Sequence, residues 1–443
     1  MHLFKSRAIQ GTFILMAAGL LTRFIGFYYR IFLSARIGAE GMGLYQMIFP
    51  IYGLCFSFCA SGIHTAISRF VCRRDSAPGG SLLAGTLIAL PLSLVCSILL
   101  LIFGDTLAVY YLHDSRCGIL LRVISLSLPM AVIHSCISGY FLGKKNAIIP
   151  GLSQLTEQIV KVLSVYLIFL FYSSNCSESL SITQLALIAV TGLIAGEAAS
   201  SLLCIIALLL EKKPPSTHSA IVSFSKMLKP IYTMAYPLTM TRVVLGILHS
   251  VEASAVPYFL RVYGLSNSEA LSIYGILTAM AMPFIMFPTT LINALCQMLI
   301  PTIAEADSSG NISRIKILTT KVLLSSAGFG FACTAIFLVT GNYLGTHFFD
   351  SALAGKYITI LAWLCPLMFA SSVMGSILNG LAKTRASFYH NLASSIVLLA
   401  FIILAMPHVG IIGFLWGLLA SELLCAVLHT IYIYRWLEKK GSH

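Results

Sequence analysis

Long apolar runs alternate with short polar ones along the whole chain. Twelve stretches are apolar over roughly 20 residues or more, the length a helix needs to cross the hydrocarbon core of a bilayer. They are 11–35, 43–69, 81–104, 118–142, 147–172, 182–210, 230–258, 271–303, 317–341, 357–381, 386–406 and 410–434. Within each run the apolar character is continuous. Membrane-barrel strands would instead alternate apolar and polar over segments of about 10 residues, so the pattern predicts twelve helices. Lys5 and Arg7 ahead of the first run suggest a signal peptide, but no small-residue cleavage site follows. The apolar stretch continues past Arg23 to Arg30 and reads as the first transmembrane helix.

The longest polar interruption, 211–229, holds Lys212, Lys213, Pro214 and Pro215 and falls at the midpoint. It divides the chain into an N-lobe, 1–210, with helices one to six, a cytoplasmic linker, 211–229, and a C-lobe, 230–443, with helices seven to twelve. The halves echo one another. GLIAGEAASSLLC at 192–204 and GFLWGLLASELLC at 413–425 share seven of thirteen positions. Pro129, Gly143 and Lys144 of helix four match Pro366, Gly380 and Lys383 of helix ten, and Thr22–Arg23 of helix one matches Thr241–Arg242 of helix seven. Six helices per half is an even number, so both halves share one orientation, as parallel repeats about an axis along the membrane normal. The predicted fold is an all-α integral membrane protein of two six-helix lobes related by pseudo-two-fold symmetry, with a cavity between them.

Composition supports this picture. Of 443 residues, 58% are hydrophobic and 10% charged, against about 25% charged in an average soluble domain. A large soluble protein, a disordered chain and a small disulfide scaffold are excluded. The 28 Lys and Arg against 15 Asp and Glu leave a net charge of +13. In a soluble protein such an excess would suggest nucleic acid. Here nineteen of the basic residues fall on one side of the predicted spans, four on the other and five within them. That bias orients the chain with both termini in the cytoplasm, and no nucleic-acid partner is needed. The 12 cysteines form no CxxC pair and no metal-ligand spacing with histidine. Only Cys117 and Cys176 lie near the outer face, which leaves a disulfide between them open.

Nine ionisable side chains besides histidine fall inside spans, each costing about 2.5–3.5 kcal/mol at a helix centre. Arg23 and Arg30 share one face of helix one, and Arg242 and His249 share one face of helix seven. They predict a cationic patch that binds an anionic group through charge-assisted hydrogen bonds. Glu157 and Lys161, four apart with the acid first, predict a structural pair. Glu197, Glu252 and Glu422 are candidates for a coupling proton or cation, with pairing to the arginines the alternative for the last two. Arg122 reads as a snorkelling anchor, and His64 and His134 as hydrogen-bonded interior histidines. Pro50, Pro129, Pro237, Pro257, Pro283, Pro288, Pro301 and Pro366 are expected to break or kink their spans. No GxSxG, Walker A or HExxH motif is present. The expectation is a transporter, not an enzyme, with no cofactor and no metal.

CISGYFLGKKNAIIPGLSQLTEQIVK at 136–161, with Ser153, Gln154, Glu157 and Gln158, resembles the stretch joining helices four and five in the stage V sporulation protein B group. TRFIGFYYRIFLSARIGAEGMGLYQMIFPIY at 22–52 is similar to that group's first helix and loop, and 282–305 and 375–383 extend the likeness to the second half. The group belongs to the multidrug/oligosaccharidyl-lipid/polysaccharide (MOP) exporter superfamily, with the lipid II and O-antigen flippases. The resemblance implies a bacterial plasma-membrane protein, most simply a monomer. It implies a V-shaped pair of lobes that moves a polyprenyl-diphosphate-linked sugar from the inner to the outer leaflet. It also assigns contact with the diphosphate to Arg23, Arg30 and Arg242, and allows cell-wall synthesis proteins as partners. Coupling to H+, Na+ or the membrane potential stays open. Lipid II flippases have fourteen helices, the last pair forming a groove for the lipid tail, whereas twelve are predicted here. The competing readings are a cation-coupled multidrug or small-solute exporter of the same fold and a non-transporting scaffold of wall synthesis.

Overall fold

The computed structural model describes residues 2–72, 78–175, 180–211 and 217–441. The first half runs through α1 (His2–Met47), α2 (Phe49–Phe56), a π-helical turn (Ser57–Ser61), α3 (Gly62–Val71) and α4 (Pro78–Tyr110). It continues with α5 (Cys117–Ser125), α6 (Ser127–Gly143), α7 (Ile148–Asn175) and α8 (Ile182–Leu209). The second half comprises α9 (Thr217–Val262), α10 (Asn267–Gly275), a second π-helical turn (Ile276–Ala281), α11 (Met282–Met286), α12 (Thr289–Ser308) and α13 (Ile312–Phe349). Then come α14 (Ala352–Leu361), α15 (Leu364–Gly380), α16 (Thr384–Leu404), α17 (Met406–Val409) and α18 (Ile411–Gly441). Part of the expected linker, 212–216, and Cys176 lie outside the described residues, while Cys117 is a buried free thiol.

Among the described residues nine helical segments are long and apolar enough to cross a membrane, or eleven when each bent pair counts as one. The first of them, Leu15–Val71, holds 57 residues, about 85 Å of helix, far more than one crossing needs. Gly38, at φ 69° and ψ 179°, interrupts it, so it makes two spans. The twelve-helix pattern follows. The chain is therefore a multi-pass membrane protein. Lipid-type faces are visible on α4, where Leu94, Val95, Ile98, Leu99, Ile102 and Phe103 are exposed side by side.

Contacts gather the chain into two units. Unit 1 is Met1–Ile37 with Leu44–Ser250, and unit 2 is Gly38–Gly43 with Val251–His443. The first part of α9 thus packs into unit 1, where Ile231 and Ala235 join a core with Ile63, Ile67, Val132 and Tyr140. In unit 2, the chain around Gly43 packs closely on the backbone of Leu271 and of Gly275, the glycine that ends α10.

The two halves repeat each other in backbone detail. A π-helical turn interrupts the second helix of each half. The fourth helix bends in each, by 41° between α5 and α6 and by 48° between α14 and α15. Left-handed residues recur at His113 and Asp350, and at Lys145 and Ala382. Ser97 donates to the Ser125 carbonyl at 2.8 Å, and Thr334 donates to the Ala362 carbonyl at 2.8 Å. All these pairs except the π turns share one spacing of 237 residues, the offset at which Pro129 and Gly143 match Pro366 and Gly380.

The eighth span, 271–303, is broken into α10, a π turn, α11 and α12, as its prolines led us to expect, because Pro283 and Pro288 cannot donate the backbone hydrogen bonds of a continuous helix. Arg122, expected as a snorkelling anchor, also forms a 3.1 Å ion pair with Asp105 of α4.

Candidate functional site

The first helix positions the expected basic residues. Arg23 is exposed and Arg30 half-buried on α1. Helix α1 docks on α7 through ring contacts of Phe32 with Tyr166 and Phe169, 5.7 and 6.0 Å between centroids, and through Gly26, which leaves room for Gln158. This docking brings Arg30 within electrostatic reach of Lys161 on α7. The Lys161 ammonium sits 5.5 Å from the Tyr29 ring centroid, within cation–π range.

Arg242 and His249 are exposed on α9, in the part that belongs to unit 1. The Arg242 guanidinium donates to the Ser61 carbonyl at 3.2 Å, at the end of the first π turn. A π turn offsets the regular ladder of carbonyls, and such turns recur at functional sites. Gly62 lets α9 come this close, since a side chain there would collide with Thr239 and with the Ala235 carbonyl, 2.5 Å from its Cβ position. Arg23, Arg30, Arg242 and His249 are thus all held by unit 1, although the sequence assigns helix one and helix seven to different lobes.

A second group lies deeper in the same unit. His134 of α6, Glu157 of α7 and Glu197 of α8 each offer one ligand atom, all within 4.8 Å of one another. His134 Nδ1 is 3.6 Å from Glu197 Oε2, and its Nε2 is 3.0 Å from Ser153 Oγ. His64 makes a 2.8 Å hydrogen bond with the Ser135 carbonyl. Both histidines are hydrogen-bonded in the interior, as their intramembrane positions suggested. Glu157 is within electrostatic reach of Lys161, and also of Glu197 and His134, so its surroundings are richer than an isolated i, i+4 pair.

In unit 2, Glu422 of α18 accepts a 2.8 Å hydrogen bond from Ser371 of α15, and Glu252 is buried on α9. Ser371 stands 237 residues after His134, so each half places a carboxylate of its last helix against the same position of its fourth.

Sequence reading placed Glu157 and Glu197 but gave His134 no role beside them. The signal was faint. Ser153 and Glu157 are four apart on α7, and Glu197 and Ser200 three apart on α8, so each acid shares a face with a hydroxyl that reaches His134. Chemically, the unit offers guanidinium donors suited to phosphate oxygens and an imidazole–carboxylate cluster suited to a cation.

The family comparison agrees with this architecture. A family model described as polysaccharide biosynthesis protein matches residues 8–307, and one described as MatE matches residues 258–404. Stage V sporulation protein B of Bacillus subtilis (strain 168) is 28% identical, over 96% of this chain and 83% of its own length. Lipid II flippase MurJ of the same organism is 24% identical, over 98% of this chain and 85% of its own. A solved inward-facing multidrug resistance MATE family transporter of the MOP superfamily superposes with a TM-score of 0.77 at 14% identity, covering 95% of this chain and 96% of that one. With a family match over more than half its length, the chain belongs to the polysaccharide biosynthesis protein family, and it shares the fold of a MATE family transporter of the MOP superfamily.

Proposed function

We propose that the protein is a flippase that moves a polyprenyl-diphosphate-linked saccharide, lipid II or a related wall or polysaccharide precursor, from the inner to the outer leaflet by alternating access. The observation that carries this reading is that Arg23, Arg30 and Arg242, from the first and seventh helices, all belong to unit 1. A diphosphate is strongly hydrated, and taking it through hydrocarbon without replacing that hydration is prohibitive. Guanidinium groups replace it with charge-assisted, often bidentate hydrogen bonds. The polyprenyl tail needs no such replacement and stays in the lipid. The similarity to a lipid II flippase supports the substrate class. The distribution of basic residues supports a plasma-membrane orientation with both termini cytoplasmic.

The test is a leaflet-accessibility assay in proteoliposomes with labelled lipid II and, separately, a simpler polyprenyl-diphosphate sugar. The expected outcome is transport of at least one. Arg23→Ala and Arg242→Ala are each expected to lower the rate about 10-fold or more, the scale of a charge-assisted bond lost at about 1.5–3 kcal/mol. Full activity in both variants would sink the proposal. A second reading, a cation-coupled multidrug or small-solute exporter, draws on the MatE match over 258–404. Export of an organic cation without transport of either lipid would favour it.

A further inference from the structure

The imidazole–carboxylate cluster of unit 1 presents lone pairs where hydrogen-bond donors would be needed. Ser153 Oγ donates to the Pro150 carbonyl at 2.9 Å, so its lone pairs accept from His134 Nε2 at 3.0 Å. This contact favours the neutral tautomer with its proton on Nε2, in which Nδ1 carries a lone pair. Nδ1 faces Ser200 Oγ at 3.3 Å and Glu197 Oε2 at 3.6 Å. Ser200 has a single hydroxyl proton, and its shorter contact, 3.0 Å, directs that proton to the Glu197 carbonyl. Glu197 Oε2 is buried and has no hydrogen-bond partner among the described residues. In that tautomer two electron-pair donors face one another across 3.6 Å, and Glu157 adds a third within 4.8 Å.

Such an arrangement suits an electron-pair acceptor. A tetrahedral ion with bonds of about 2.0–2.2 Å to nitrogen and oxygen holds its ligand atoms about 3.3–3.5 Å apart. The Nδ1 to Oε2 separation of 3.6 Å is close to that. The donor set narrows the ion. Magnesium and calcium take oxygen ligands, whereas an imidazole nitrogen beside carboxylates suits zinc and the first-row transition ions. The bond from Nε2 to Ser153 is the outer contact that a ligating histidine uses to hold its tautomer and ring orientation. Two carboxylates this close in a low-dielectric interior repel one another, and a divalent ion removes that cost. The Lys161 ammonium, 5.5 Å from the Tyr29 ring centroid, is in electrostatic reach of both carboxylates and offsets part of that repulsion, but it is not one of the atoms that close the gap between Nδ1 and Oε2. We propose that His134 Nδ1, Glu157 and Glu197 form a binding site for a divalent transition ion, zinc or manganese, inside unit 1. The site does not depend on which lipid the protein moves.

The test uses the full chain purified in detergent, stripped with a chelator and titrated separately with zinc, manganese and cobalt(II). Bound metal is measured by mass spectrometry after desalting, and the visible absorption of cobalt(II) reports its ligands. The expected result is one equivalent of zinc or manganese per chain. His134→Ala and Glu197→Gln are each expected to weaken binding at least 10-fold, and Ser153→Ala, which spares the ligands, about 10-fold. Glu197→Gln is nearly isosteric, and gel filtration of each variant reports its folding. A wild-type chain that holds no equivalent of any of the three ions overturns the proposal, as does binding that both ligand substitutions leave unchanged. Stabilisation by acid alone, with no metal bound, would assign the lone pairs to a proton and overturn it equally.

Discussion

Ser97 and Thr334 make the same bond in the two halves, each to a backbone carbonyl at the bend of a neighbouring helix. The residue four on from each carbonyl is a proline, Pro129 or Pro366, which has no N–H to give it, so the hydroxyl supplies a donor that lipid cannot. Ser97→Ala and Thr334→Val are each expected to destabilise by roughly 0.5–1.5 kcal/mol, read as a lower Tm in detergent. Unchanged Tm in both would remove this account of the bends. Lys144, at the end of α6, pairs with Glu211, whose carboxylate also accepts from the Tyr140 hydroxyl at 2.9 Å. Burial lowers the Lys144 pKa, but the Glu211 carboxylate and Tyr140 hydroxyl outweigh it and hold it above 10.5. The stabilisation is then full below the ordinary lysine pKa and is lost as pH rises through the raised one. The Tm difference between wild type and Lys144→Met should be constant from about pH 6 to 9 and shrink only in strong alkali. A difference that vanishes near neutral pH would contradict the pairing. Neither interaction is visible along the chain, because Lys144 and Glu211, like Ser97 and Ser125, are distant in sequence and meet only through helix packing.

Helices α7 and α8 come together through small residues. Gly192 and Gly196 are four apart on one face of α8, and the Cβ position of Gly196 lies 2.6 Å from the Glu157 carbonyl, that of Gly192 3.0 Å from the Lys161 carbonyl. Gly413 and Gly417 serve α18 in the same way, with Gly417 against Phe401 of α16 at 2.7 Å. In lipid, where apolar burial between helices gains little, close backbone approach is a main source of association. The spacing was present in the two matched segments of the sequence, which showed a repeat without showing what it packs on. Gly196→Leu is expected to push α8 off α7, to cost about 1–3 kcal/mol, and to separate Glu197 from Glu157. Gly19→Ala on α1, where a Cβ meets nothing within 4 Å, should be neutral or stabilising by up to about 1 kcal/mol. Equal Tm for the two variants would show that this helix contact is loose.

At the scale of the molecule, the proposed orientation makes a direct prediction. A single cysteine introduced at Lys145 should be protected from an impermeant thiol reagent in intact cells, and one at His113 should be labelled, in a background without the native cysteines. The reverse pattern would invert the proposed topology. Both positions are left-handed chain reversals between helices, so each is accessible on its own side. Hydropathy and charge bias are properties of each residue summed along about 20 neighbours. The sequence by itself therefore determined the membrane class, the twelve spans, the duplication and which ionisable residues fall within spans. Tertiary structure decided the rest. It put Arg242 against Ser61, drew the first part of α9 into unit 1, and set His134 between two acids 23 and 63 residues away. Those outcomes depend on how each helix is rotated and which face it buries. In a helix that is apolar nearly all round, the local pattern carries little record of that choice.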